Sequence, residues 1–192
     1  MAQSHAEVQL QQLGVALPEP GVYKLEASHT GIGFVARHML SKARGNFAEF
    51  EGTITVPENV AETSVDVTIQ AASISTGNEM RDGHLNSADF FTVEEHPTIT
   101  FVGKGIRQVD GAEFELDGDL TIKGITKPVT LRGEYLGFGP GMQGEQRLFA
   151  SAKTTVNRED WDLTWNVAVE TGGLLVGKKV EIVLDLEAVK EA

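Results

Sequence analysis

Four of the five histidines lie after residue 20, and they are the side chains best suited to metal binding or acid–base chemistry: His29, His38, His84 and His96. A zinc or iron site needs about three converging ligands, often with a short local spacing. Only His96 has close carboxylate neighbours, Glu94 and Glu95. The pattern therefore favours neither a metal site nor a cofactor. We interpret His29 and His38 as polar groups at a strand end or a pocket mouth.

Nucleophiles and paired acids and bases are equally sparse. The chain has no cysteine, no G-x-S-x-G nucleophile elbow and no P-loop. The segment GIGFVA (31–36) fits a dinucleotide fingerprint, but no helical face follows it to receive a pyrophosphate. A paired-carboxylate hydrolase is conceivable, but in an acidic protein the cluster near Trp161 favours a solvated turn. Its carboxylates are Glu159, Asp160 and Asp162. We expect no enzymatic activity.

The composition indicates a folded and acidic globular protein. The chain has 192 residues, 41% of them hydrophobic, and a formal net charge of −12. Such a negative surface repels phosphate backbones, so no nucleic-acid partner is expected. No run of roughly 18 apolar residues indicates a transmembrane segment. The N-terminus lacks a basic leader and an apolar run, which predicts a cytoplasmic protein.

The first 20 residues are predicted to form an N-terminal extension (1–20) to a domain that occupies 21–192. A weak helical pattern over 6–13 ends before Pro18 and Pro20, because proline cannot continue a helix. We interpret this segment as an appendage to the domain.

The rest of the chain has the alternating pattern of β-strands. Tyr23 and Leu25 share one parity, whereas Ile32 and Phe34 share the other, so a turn or bulge is expected within 28–31. Asp110-Gly111 is a strong hairpin signal. About eight or nine such strands with short turns indicate a β-sandwich or a β-barrel.

Small residues recur at positions predicted to face inward: Ala27, Ala36, Gly118, Gly133, Ala150 and Ala152. In a filled core they would leave destabilising voids. In a barrel of about eight strands they would make room for a ligand. Glycine also marks bends at barrel corners, so the pattern leaves both interpretations open.

The stretch 78–101 interrupts the strands. The segment TGNE (76–79) fits a capping box with Thr76 at the N-cap, which predicts a short helix. One face of that helix and the chain after it carry Met80, His84, Leu85, Phe90 and Phe91. The segment is either a plug of ordinary core residues or a cap whose apolar side chains line a ligand entrance.

A second aromatic stretch lies near the C-terminus. Trp161, Leu163, Trp165 and Val167 alternate with polar residues, which predicts a strand with two tryptophans on one face. That face is either a corner of the core or a pocket wall.

Several separate motifs, in order along the chain, resemble the YceI-like, polyisoprenoid-binding family. They are YKLEASHTGIGF (23–34) with His38, SISTG (73–77), RDGHL (81–85), DFF (89–91), HPTITF (96–101), GDLTIKG (118–124) and KPV (127–129). The resemblance implies an all-β fold, an extended antiparallel β-barrel similar in plan to lipocalins, with a short capping helix. It further implies that a long isoprenoid or other amphiphilic chain lies inside the barrel. Many family members carry a secretion signal, and this chain departs from them there.

The sequence thus predicts a soluble binding protein that sequesters or carries a long-chain polyisoprenoid, a quinone or a prenyl lipid, as its partner. The predicted lining residues are Ile32, Phe34, Phe50, Ile74, Met80, Leu85, Phe90, Phe91, Phe101, Trp161, Leu163 and Trp165. The predicted head-group contacts are His38, Arg81 and His84. The alternatives are an enzyme acting on an isoprenoid, with His29, His38 or Asp82 as acid or base, and a filled-core interaction protein. A homodimer is compatible with any of the three.

Overall fold

Residues 16–170 and 172–192 are described by a computed structural model, in which one antiparallel sheet dominates. The predicted helical pattern at 6–13 lies outside these residues. The strands are β1 (Gly21–Leu25), β2 (Gly31–His38), β3 (Ser41–Phe47), β4 (Phe50–Val56), β5 (Ser64–Gln70), β6 (Ile74–Ser75), β7 (Thr98–Asp110), β8 (Glu113–Ile122), β9 (Ile125–Pro140), β10 (Gln146–Asn157) and β11 (Val176–Lys190).

The sheet closes on itself. Strand β11 pairs with β10 on one side, and on the other side it pairs with both β1 and β2. Strands β1 and β2 are two segments of one bent strand, and β3/β4 and β5/β6 are interrupted in the same way. The result is a closed antiparallel barrel of eight strands, which confirms the predicted all-β barrel over a sandwich.

A turn separates β1 from β2, as the change of parity predicted. The Thr30 backbone N–H donates to the Glu26 carbonyl oxygen at 2.9 Å, and the Thr30 hydroxyl donates to the Glu187 carbonyl oxygen at 2.9 Å. Because of this turn, Tyr23 and Ile32 are both buried. Ala27 lies in the turn and is exposed, so its predicted inward position was wrong.

Helix α1 (Glu79–Asn86) follows β6, and shorter 3-10 helices span Val60–Glu62, Ala71–Ser73 and Arg158–Trp161. The predicted N-cap was wrong: the Asn78 side chain, not Thr76, accepts the Arg81 backbone N–H, at 3.0 Å. The intervening Gly77 has a φ of +74°, which keeps it out of a helix. Across the described ranges, no helix is long and apolar enough to cross a membrane.

The predicted strand at 161–167 was also wrong. The chain forms the 3-10 helix Arg158–Trp161 and then continues in irregular structure. Asp162 ends the helix with a left-handed φ of +57°, and its N–H donates to the Glu159 carbonyl oxygen. This left-handed residue breaks the strand at the point where the tryptophan alternation begins.

Two clusters of buried apolar side chains lie inside the barrel. The smaller one closes the end where the chain enters and leaves, and we call it the floor: Tyr23, Ile54, Val56, Leu148, Ala150 and Ala188. The larger one extends toward α1 at the opposite end. We call α1 with Phe90 and Phe91 the cap.

Candidate ligand cavity

A cavity of about 270 Å³ lies inside the barrel. Its wall includes Pro18 and Val56 near the floor and Leu85 and Phe91 at the cap, so it follows the length of the barrel. Apolar side chains supply nearly all of this wall. The Trp161 indole N–H is satisfied by the Leu120 carbonyl oxygen at 3.0 Å. Such a lining suits an apolar chain.

Small residues help to shape the cavity in two ways. Ala36, Ala150 and Ala152 line it directly. Glycines instead lie beneath aromatic rings, so that a Cβ at Gly118 would clash with the Phe101 ring, and one at Gly133 with the Phe114 ring. The glycines therefore make room for rings of the wall itself, whereas the alanines leave open space.

Most of the predicted lining residues do border the cavity. They are Ile32, Phe34, Ile74, Leu85, Phe90, Phe91, Phe101, Trp161 and Leu163. Phe50 and Trp165 are half-buried and pack against the large cluster without bordering the cavity.

Met80 does not line the cavity. It is 87% exposed, and α1 has no buried residue. Hydrogen bonds hold the helix at the end of the barrel. In one of them, the Asp82 carboxylate accepts the Thr76 N–H at 2.9 Å. Because Met80 points into solvent while Leu85 borders the cavity, the predicted apolar face of Met80 with Leu85 does not form.

The predicted head-group contacts also lie outside the cavity wall. Arg81 Nε donates to the Thr76 hydroxyl at 2.7 Å, which ties α1 to the end of β6. The His84 ring lies 2.8 Å from the Asp89 carboxylate and stacks edge-on against Trp165, with ring centroids 4.5 Å apart. His38 ends β2 and forms the last pair with Ser41 of β3.

The proposed acid–base residues are not brought together. His29 precedes β2 and His38 ends it, so roughly 25–30 Å of strand separates them. The Asp82 carboxylate lies at the cap, where it accepts a hydrogen bond from the Thr76 backbone N–H. Along the described wall, the only ionisable side chain is that of Arg158. In residues 16–170 and 172–192, no three His, Asp or Glu side chains lie close enough to hold a metal ion.

The sequence reasoning missed Arg158. It is 4% exposed, borders the cavity and begins the 3-10 helix Arg158–Trp161. Burial lowers the pKa of its guanidinium, while neighbouring Glu159 acts to raise it. The available signal was a single basic residue, Arg158, directly before the acidic pair Glu159-Asp160 and close to Trp161.

The barrel wall is incomplete beside this arginine. The β9–β10 ladder ends at the pair Lys153–Arg132, so residues 125–131 of β9 and 154–157 of β10 do not pair with each other. An outer groove occupies the gap, and it shares Val129, Val156 and Trp161 with the wall of the inner cavity.

These features define a class of protein, an antiparallel barrel that encloses an apolar cavity. The YceI-like domain model matches residues 23–188, which is most of the chain. The protein belongs to the YceI-like family, as its motifs indicated.

Three comparisons illustrate this relationship. A UPF0312 protein of Staphylococcus aureus is 38% identical over 162 residues, covering 83% of this chain and 92% of the relative. The crystal structure of the Campylobacter jejuni YceI protein is similar with a TM-score of 0.70 and 28% identity, over 81% of this chain and 90% of that one. A polyisoprenoid binding domain from Saccharophagus degradans, implicated in plant cell wall breakdown, shares the fold. Its TM-score is 0.64 at 14% identity, over 90% of this chain and all of that domain (100%).

Proposed function

We propose that this protein binds a long-chain polyisoprenoid, such as a quinone or a prenyl lipid, inside the barrel, and that it stores or carries this lipid. One observation carries the proposal: the internal cavity runs from floor to cap and is lined almost wholly by apolar side chains. The description of the Saccharophagus degradans neighbour as a polyisoprenoid binding domain supports the same ligand class. A cytoplasmic location stays a prediction.

The hydrophobic effect supplies the driving force for such binding. Each buried methylene contributes about 0.8 kcal/mol, so a chain of several isoprene units binds without any catalytic group. With Arg158 as the sole ionisable group in the described wall, the cavity offers no acid–base pair. A binding role therefore fits this interior better than catalysis does.

The cavity is small for a long lipid chain. Its volume of about 270 Å³ is slightly below the range of ligand pockets, which span about 300–1,000 Å³. A longer chain therefore needs rings of the wall to move. Phe34 and Phe101 cannot provide this room by moving outward, because their rings already lie directly against Gly45 and Gly118.

Native mass spectrometry of the purified protein, followed by solvent extraction, tests the proposal. We expect a co-purifying long-chain lipid, or stoichiometric uptake when a quinone or a prenyl alcohol is offered. A protein that stays empty under both conditions would sink the proposal. Turnover of the lipid that is abolished by His38→Ala would favour an enzyme instead.

A matched pair of variants locates the lipid. Ala152 faces the cavity, whereas its neighbour Ser151 has the opposite parity on β10. Ala152→Phe is expected to reduce the amount of bound lipid, because the ring occupies the cavity. Ser151→Phe adds the same ring outside and should leave binding unchanged. Equal binding by both variants would place the lipid elsewhere.

A further inference from the structure

The most unusual group in the cavity wall is the buried cation of Arg158. Its Nε donates to the Gly177 carbonyl oxygen at 3.0 Å, and its two terminal nitrogens donate to the carbonyl oxygens of Val176, at 3.4 Å, and Leu163. All three acceptors are neutral. The described residues therefore supply three backbone oxygens to this guanidinium and no hydrogen-bonded carboxylate.

The nearest acidic residue in sequence does not neutralise the guanidinium by pairing with it. The Glu159 carboxylate instead forms an ion pair with Lys178 at 2.8 Å, on the outside of the barrel. A buried charge without a paired counter-charge is costly. Proteins normally avoid this cost by placing an anion against the charge or by leaving it at the surface.

The guanidinium also has unused hydrogen-bonding capacity. It carries about five N–H groups, and the described residues accept from three of them. The others belong to terminal nitrogens of a side chain that borders the cavity. An oxygen anion at this position would accept charge-assisted hydrogen bonds, which are roughly twice as strong as neutral ones.

We propose that Arg158 is the head-group site of the cavity, and that it selects long-chain lipids ending in an anionic oxygen group, such as a phosphate or a carboxylate. This proposal rests on the lipid-binding function proposed above and adds the polarity of the preferred ligand. The apolar wall holds the chain, and Arg158 holds the charged end. The site also explains how a protein with a net charge of −12 accepts an anion, because the attraction is local and shielded from solvent.

The test compares two ligands that differ only at the head: farnesyl phosphate and farnesol. Affinities are measured by fluorescence of the two tryptophans or by calorimetry. We expect the natural protein to prefer farnesyl phosphate by about tenfold or more. Equal affinity for the two ligands would overturn the proposal without recourse to any variant.

Arg158→Gln is expected to abolish the preference while changing the affinity for farnesol by less than about twofold. Arg158→Lys keeps the charge and should retain part of the preference. A purely structural role for Arg158 predicts a different outcome, because loss of the three carbonyl contacts would weaken both ligands together.

Arg44→Gln is the matched control. Arg44 lies exposed on β3, so this variant removes the same charge from the outside of the barrel and should leave the preference intact. A loss of preference in Arg44→Gln would assign the effect to long-range electrostatics and overturn the role of Arg158. If neither ligand binds to the natural protein, the lipid-binding function itself fails. If both bind equally, only the head-group site fails.

Discussion

The two ends of the barrel are closed by different means. At the floor, Tyr23 and Ala188 are fully buried, and the Tyr23 hydroxyl donates to the Glu19 carbonyl oxygen at 2.6 Å. Residues 16–20, the described part of the predicted N-terminal extension, pack there, with Pro18 buried and the Ala16 carbonyl oxygen accepting the Tyr135 hydroxyl at 2.6 Å. Closure at the floor thus combines dense packing with strand pairing.

The cap is held more loosely. Helix α1 has no buried residue and is attached through the hydrogen bonds of Arg81 and Asp82 to Thr76 and through the contact of the His84 ring with Trp165. The β9–β10 ladder also ends before it reaches this end. Segments with few buried apolar contacts open at low free-energy cost. We therefore expect ligand exchange at the cap and a large contribution to folding stability from the floor.

The largest effect is expected at the floor. Tyr23→Ala removes a fully buried ring, and truncation of a buried aromatic residue costs about 3–5 kcal/mol. Urea unfolding measures the loss. Tyr23→Phe is the control, since it removes only the bond to Glu19 and should cost about 1 kcal/mol. A loss below 1 kcal/mol for Tyr23→Ala would contradict the assignment of the floor as the stabilising end.

The next effect is expected at the cap. Phe90→Ala combined with Phe91→Ala should weaken lipid retention more than it lowers folding stability, because these rings border the cavity beside helix α1, which has no buried residue. We expect release to accelerate by about tenfold or more. Stopped-flow transfer of a fluorescent prenyl lipid gives the release rate, and urea unfolding gives the stability. If both fall by the same free energy, the pair is ordinary core and the cap does not gate the cavity.

Alkaline pH is expected to destabilise the floor. Burial, aided by the negative charge of Glu19, raises the pKa of Tyr23 to about 12 from 10.0, and burial also raises the pKa of Tyr135. Because the folded pKa of Tyr23 exceeds the unfolded one, its contribution to stability is complete below pH 10.0 and is lost as the pH rises toward about 12.

These are the two tyrosines of the chain, so the ultraviolet absorbance of tyrosinate reports on the floor directly. No ionisation step is expected near pH 10.0 in the folded protein. The step should instead coincide with the loss of circular dichroism. A tyrosinate step near the ordinary pKa while the barrel remains folded would show that the floor is open to water.

The smallest effects concern α1. Gly83 lies within the helix, and an added Cβ would meet open space. Gly83→Ala should therefore stabilise the helix by about 0.5–1 kcal/mol and slow lipid release. Asn78→Ala removes the N-cap and should have the opposite sign, at about 1 kcal/mol. Release rates that do not respond to either change would show that α1 need not unfold for exchange.

The sequence by itself determined most of the strands and their faces. Alternation has a period of two in any strand, so residues such as Ile32 and Phe101 were correctly expected inside before any pairing was known. The break near Thr30 and the hairpin at Asp110-Gly111 also depend on local chemistry. These features need no knowledge of distant contacts.

Only the tertiary structure decided which side chains meet. Met80 was expected in the cavity, but α1 is held by polar contacts to Thr76 that no periodicity reveals. The strand predicted from Trp161 onward fails because Asp162 is left-handed. Arg158 resembles any surface arginine in the sequence. It becomes a buried cation because the carbonyl groups of Leu163, Val176 and Gly177, up to 19 residues away, converge on it. These carbonyl groups converge only when the sheet closes into a barrel, and that closure depends on strand pairing around the whole sheet.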